Sequence, residues 1–284
     1  MTKQYAFQWN GTPEDIGPIQ IKRYLPNRYA DAVGAFVLLD YLPPQHPNEA
    51  EPSATQAHPH RGICTLSYIL EGAVTHLDSL GNHVRLQAGS IQWMHAGNGI
   101  LHDEEIHPDP STGRYEMLQF WINLPSSEKA KSPSYKAIDQ EQIPSIEDPK
   151  QGVRIKLLLG HWGQLESPIP SYLGEKLIHV QIAPGGTFHI ATEAQEEYAI
   201  FIREAGLQVQ GEIFEAQTFL EFDRNAGAIV IENREKYPIH FFLFGGTRYE
   251  EGIVADGPFV MNTPKEIAEA HRDYLLGKYG SLPS

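Results

Sequence analysis

The sequence predicts an all-β protein in two halves that ends in a single short α-helix. Three observations lead there. Short β-branched and aromatic runs recur at spacings of about ten residues, Gly, Pro and Asn punctuate them, and the same rhythm restarts after a polar interruption. Helical periodicity is confined to the C-terminal end.

The elements follow in order. Ala35-Phe36-Val37-Leu38-Leu39 is an apolar strand that Pro43-Pro44 is expected to end, because proline has no N–H for a ladder. The run from Cys64 to Leu70 is β-rich and stops at Glu71-Gly72. Val74 to Asp78 then leads into the turn Leu80-Gly81-Asn82, and His83 to Leu86 and Ile91 to Met94 follow on either side of Gly89. Tyr115 to Leu124 is a long strand whose aromatic and aliphatic content suits a sheet interior. Ser126 to Pro149 is polar and Pro-bearing and marks a join. The domains are drawn as residues 1–132 and 153–284 around a linker at 133–152. Strands resume at Val153–Leu159, Leu177–Ile182, Tyr198–Ile202, Phe219–Phe222, Ile229–Glu232 and Ile239–Phe244. Thr263-Pro264-Lys265-Glu266 is a capping box with proline at the first helical position. Ile267, Ala270 or His271, Tyr274 and Leu275 then recur at helical spacing before Gly277, as in a helix docked on a sheet.

Composition narrows the function classes. The chain has 284 residues, 41% hydrophobic and 20% charged, which suits a soluble globular protein. No stretch approaches the roughly 18–20 apolar residues that cross a bilayer. Met1-Thr2-Lys3-Gln4-Tyr5 has no apolar core of a leader, so a cytoplasmic protein is expected. The single cysteine, Cys64, forms no internal disulfide and fits a reducing compartment. A net charge of 22 − 36 = −14 repels phosphate backbones, so no direct nucleic-acid binding is expected.

Chemistry concentrates in two short motifs. His58-Pro59-His60 places two imidazoles at i and i+2, hence on one face of an extended segment, and His102-Asp103-Glu104 repeats that geometry. With the two segments side by side, His58, His60, His102 and Glu104 converge as three nitrogens and one oxygen. That donor set suits Fe, Mn, Co, Ni, Cu or Zn and leaves coordination positions open. Asp103 and Glu105 have the opposite parity and should face away. Gly97-Asn98-Gly99 ahead of the second motif allows a close backbone approach and positive φ. Cys64, about 13 Å along the strand from His60, is out of reach of the site and reads as a small core residue. The remaining histidines, His76 among them, lack paired spacing. His95, nearest the second pair in sequence, reads either as a residue that holds a ligand in place or, equally, as an ordinary strand histidine.

The motifs are also familiar. His58-Pro59-His60-Arg61-Gly62, Ile69-Leu70-Glu71-Gly72, Gln92-Trp93-Met94 and Ala96-Gly97-Asn98-Gly99-Ile100-Leu101-His102 resemble the pirin family of the cupin superfamily. The likeness extends to Val33–Asp40, Gln119–Pro125, Ser127-Glu128-Lys129 and Gly257–Pro264, nearly the whole chain. It implies a bicupin, two antiparallel β-barrels of the double-stranded β-helix type, with one divalent metal, Fe(II) first, held by His58, His60, His102 and Glu104. The C-terminal half has Phe188-His189-Ile190 where a second His-x-His would stand, which implies a metal-free barrel. Pirins resemble flavonol dioxygenases. The implied activity is the opening of quercetin's central ring by dioxygen, with Glu104 as the general base. The alternative is an iron-dependent redox-sensing regulator that acts through protein partners. A monomer is expected, because two barrels already cover one another.

Overall fold

The computed structural model describes residues 2–46, 53–204 and 206–283. The chain is mostly β and forms two compact units that are interleaved in sequence. One comprises Thr12–Leu25, Phe36–Gln140 and Glu250–Ser284; the other comprises Met1–Gly11, Pro26–Ala35 and Glu141–Tyr249.

The contiguous division at 1–132, 133–152 and 153–284 is therefore corrected. The strand Tyr5–Trp9 pairs antiparallel with Thr218–Phe222, and Phe7 meets Phe219 with ring centroids 6.0 Å apart, so the N-terminus belongs with the later residues. At the other end, Phe259, Met261, Ile267, Ala270 and Tyr279 form an apolar cluster that also packs on Leu101, so the C-terminal tail belongs with the earlier ones. The stretch 133–152 is not a free linker either. Ser134–Ile138 pairs along all of Ile91–His95, and Ser145–Asp148 pairs with Val153–Leu159. Both are edge strands with exposed polar residues, which is why their composition reads as loop.

In the first unit a seven-stranded antiparallel sheet has the order Ser134–Ile138, Ile91–His95, Ile63–Glu71, Tyr115–Asn123, Phe36–Gln45, Ile19–Leu25, Thr12–Ile16. A smaller sheet has the order Ser53–Ala54, Ile100–His107, Ala73–Asp78, His83–Gln87, with His58–His60 also paired to Ile100–His107. The sheets face each other, because Ile19, Ile21, Leu42, Ile69, Tyr115 and Met117 of one share a core with Val74, Leu86 and Ile106 of the other. Burying a side chain of this size contributes about 1.5–3 kcal/mol. Among the described residues the ladders of the two sheets are separate.

The second unit repeats the plan. Its larger sheet has the order Tyr5–Trp9, Thr218–Phe222, Glu196–Ile202, Ile239–Thr247, Lys176–Ile182, Val153–Leu159, Ser145–Asp148. It packs on the four strands Thr187–Thr192, Gly227–Asn233, Leu207–Val209 and Glu212–Phe214. Ile155, Val180, Ile200 and Phe241 meet Phe188, Val209 and Ile231 in this core.

Two local expectations change. Pro43-Pro44 does not end its strand, which runs from Phe36 to Gln45. Register with the neighbouring strand slips between Gln45–Tyr115 and Leu42–Met117, so both prolines fall in the irregularity, where no ladder N–H is required. The helix Pro264–Leu275 starts as expected: Thr263 Oγ1 accepts from the Glu266 N–H at 3.3 Å, and Glu266 Oε2 accepts from the Asn262 N–H at 3.1 Å. Its docked stripe is shorter than the spacing suggests. Ile267 and Ala270 are buried, whereas Leu275 is 82% exposed, because Tyr279 folds back and covers the cluster instead.

Candidate metal centre

Register places the candidate residues in layers between the two sheets of the first unit. At one end the interior is the apolar core already described. Next comes a polar row: Gln92, Ser67, Gln119 and Asp40 are consecutive cross-strand neighbours on the large sheet, and Glu104 opposes His76 on the small one. The third layer carries the imidazoles. His102 opposes His58 on one side and Asp78 on the other, and His60 opposes Ile100. Facing them on the large sheet is the row Tyr135, Met94, Thr65, Trp121. The strict alternation of Ile100–His107 produces this arrangement: Ile100, His102, Glu104 and Ile106 are buried, and the residues between them are less so.

The three imidazoles converge. His58, His60 and His102 each offer one nitrogen, all within 4.8 Å of one another, and His58 Nε2 lies 3.0 Å from His102 Nε2. Backbone carbonyls set two of the tautomers: His58 Nδ1 donates to Gln56 O at 2.8 Å and His60 Nδ1 to Pro258 O at 3.2 Å. Each leaves Nε2 with a free lone pair toward the cluster, as a metal ligand requires. Burial and the neighbouring His58 push the His60 imidazole down to about 3, and burial with the charges of His58, His60 and His76 holds His102 well below its usual range. Both rings are therefore neutral near pH 7 and bind a cation without first losing a proton.

Glu104 is buried beside this triad, with Oε1 at 3.8 Å from His102 Nδ1. It is clamped by amides: Gln92 Nε2 donates to Oε1 in a short hydrogen bond, and Gln119 Nε2 donates to Oε2 at 3.4 Å. Both amides also reach Ser67 Oγ at 3.3 Å. Burial raises the Glu104 carboxyl above its ordinary range, against the opposing pull of His76, His58 and the Gln92 bond. His102 Nδ1 and His76 Nδ1 are buried without a hydrogen-bond partner, a debt that a cation among these donors would settle. The residues thus fit a divalent metal.

Glycine is needed on both approaches. Gly62, at φ +83°, lies so close to Val260 O that a Cβ would collide with it, and Gly99, at φ +128°, abuts the Tyr279 ring. The tail locks this arrangement through Arg61 Nη1 on Asp273 Oδ2 at 2.9 Å and Lys129 Nζ on Gly62 O at 2.9 Å and Val260 O at 2.7 Å.

The remaining expectations divide as follows. Asp103 does face away, its Oδ1 accepting from Thr55 Oγ1 at 3.2 Å. Cys64 is a buried strand residue opposite His95 and Ile122. His95 has the opposite parity from Gln92 and packs against Trp93, with ring centroids 5.8 Å apart; it is Gln92 that braces the site. His189 lies exposed on Thr187–Thr192 while Phe188 enters the core. His76 is the residue that spacing missed. It groups with His102 and Glu104 within 4.8 Å, its Nε2 bonds Asp78 Oδ2 at 3.1 Å, and Tyr135 stacks on it at 4.1 Å. The overlooked signal was His76-Leu77-Asp78, a histidine and a carboxylate on one strand face. A cleft of about 270 Å³ lined by Glu147, Asp148, Arg154 and Gln181 lies in the other unit and contains none of these residues.

Paired sheets enclosing a His/Glu cluster that could hold a metal ion define a protein of the cupin type. Comparison narrows the class: the pirin model matches residues 19–122 and the pirin C-terminal cupin domain matches residues 177–280. The chain belongs to the pirin family. It is 32% identical over 260 residues to a Pseudomonas aeruginosa protein named provisionally as a quercetin 2,3-dioxygenase, covering 89% of each chain. It is 32% identical over 240 residues to human pirin, covering 81% of this chain and 79% of that one. A crystal structure of quercetin 2,3-dioxygenase from Acinetobacter baumannii superposes with a TM-score of 0.89 over 99% of both chains at 27% identity. No helix among the described residues is long and apolar enough to cross a membrane.

Proposed function

We propose that the protein is a mononuclear-metal dioxygenase that opens the central ring of flavonols such as quercetin, with His58, His60, His102 and Glu104 as the residues that hold the metal. The observation that carries this reading is the convergence of three buried or half-buried imidazoles next to a buried carboxylate. Kinship with proteins named for quercetin 2,3-dioxygenase supplies the substrate class. Fe(II) is the first candidate; Ni, Mn, Co, Cu and Zn suit the same donors. When bound, the cation supplies Lewis acidity and the chemistry with dioxygen that side chains lack.

The chain's own residues provide the rest. Glu104 takes the proton of the flavonol 3-hydroxyl. Its burial raises its basicity for that task, and the Gln92 and Gln119 amides keep the carboxylate aimed. Trp121, edge-on to His60 with centroids 4.9 Å apart, and Tyr135 are the flat surfaces suited to an aromatic guest. The Trp121 indole N–H and the Tyr135 hydroxyl are both buried without a protein partner, so a polyhydroxylated ring would satisfy them. The site takes in dioxygen and releases carbon monoxide from the opened ring.

The test is oxygen uptake and carbon monoxide release on adding quercetin to metal-loaded protein. Glu104→Gln should lower kcat by about 100-fold or more. If the loaded protein shows no turnover while its Fe(II) and Fe(III) forms capture different protein partners, the redox-sensing regulator replaces the enzyme.

A further inference from the structure

A second donor group adjoins the triad and shares one residue with it. His76, His102 and Glu104 are each at most 2% exposed, and one donor atom from each lies within 4.8 Å of the others. His102 faces both groups. Its Nε2 is 3.0 Å from His58 Nε2, whereas its Nδ1 is buried, without a hydrogen-bond partner, 3.8 Å from Glu104 Oε1.

His76 is prepared for ligation. Its Nε2 is bonded to Asp78 Oδ2 at 3.1 Å, and Asp78 is itself fixed: Oδ1 accepts from the Leu80 and Asn82 N–H groups at 2.9 and 3.1 Å, and Oδ2 accepts from Asn82 Nδ2 at 2.7 Å. A carboxylate gripping one ring nitrogen places the proton there and leaves the lone pair on the other. That other nitrogen, His76 Nδ1, is buried and unpartnered. Tyr135, stacked at 4.1 Å and 7° between planes, prevents the ring from turning away.

We propose that the metal has two alternative seats: an outer one in which His102 uses Nε2 alongside His58 and His60, and an inner one in which His102 uses Nδ1 alongside His76 and Glu104. A neutral imidazole has a single free lone pair, so the tautomer of His102 decides which seat is filled and only one ion is held at a time. This rests on the single-metal reading above but divides its four donors between two seats, with Glu104 coordinating only in the inner one. It adds His76 as a donor and gives Glu104 two situations, coordinated in the inner seat and free to accept a proton beside the outer one.

The experiment uses cobalt(II) on the full chain, read by equilibrium dialysis and by the visible ligand-field bands. It compares the wild type, His58→Gln/His60→Gln and the triple variant that adds His76→Gln. The double variant should retain one cobalt per chain, bound at least about tenfold more tightly than in the triple variant. Equal binding by the two variants overturns the inner seat. A wild type that binds no cobalt overturns the parent reading instead. Should the double variant fail to fold, long-range proton–nitrogen spectra of the zinc-titrated wild type decide. Movement of the His76 Nδ1 resonance along with those of His58 and His60 supports the seat, and a stationary His76 resonance overturns it.

Discussion

At His58 and His60 the candidate ligand nitrogen is available because a backbone carbonyl occupies the other nitrogen of the ring. Gln56 O and Pro258 O fix the Nδ1 protons of His58 and His60, so neither imidazole has to choose a tautomer when a cation arrives. The arrangement has a consequence for pH. His60 and His102 are depressed below the ordinary 6.5, so the unfolded chain binds more protons than the folded one at acidic pH, and stability falls as pH falls below about 6.5. Each ring contributes about 1.4 kcal/mol per pH unit in that window. The raised Glu104 works in the opposite sense, stabilising at low pH and losing that contribution as pH rises through its folded value. Thermal melts of metal-free protein from pH 8 to 5 should decline, and His60→Gln should flatten the decline. An unchanged slope in the variant would show that the ring is charged in the folded state. Gln92→Leu, which removes the amide donor to Glu104 Oε1, should lower kcat by about tenfold while leaving metal content intact.

At the scale of elements, parity was legible and packing was not. The i, i+2 spacing of His58/His60 and of His102/Glu104 fixed their shared faces, and the capping box fixed the start of the terminal helix, because both are local rules. The edge strands Ser134–Ile138 and Ser145–Asp148 were hidden by their exposed polar residues, and His76 by the lack of a nearby histidine to pair with. Each is defined by a cross-strand partner that sequence spacing does not name. The same holds for the tail. Lys129 Nζ bonds Gly62 O, Asn123 Oδ1 and Val260 O, joining the segment after the first ligand pair to the strand Phe259–Met261. Lys129→Met removes a buried donor shared by these three acceptors, of which Gly62 O keeps the Leu124 N–H at 3.2 Å, and should cost about 2–3 kcal/mol in denaturant unfolding. Thr263→Ala, which removes only a helix cap, should cost about 1 kcal/mol.

For the whole molecule, the two units share an architecture but differ in the side chains between their sheets. Where the first places Glu104, His76 and three further imidazoles between its sheets, the second fills the equivalent space with Phe188, Ile229, Ile231 and Phe241. Because the donors of either group come from two strands separated in sequence, a cation bound there crosslinks them and should stabilise the native state by mass action. At a free metal concentration of 100 Kd the gain is about 2.7 kcal/mol, measurable as a raised melting temperature that chelation reverses.

Metal content is the most direct measurement, because His102 belongs to both donor groups found among the described residues. Elemental analysis of wild type and His102→Gln, both verified as folded by near-ultraviolet circular dichroism, should give one divalent ion per chain in the first and none in the second. A wild type without metal, or a variant that retains as much as the wild type, would contradict the account.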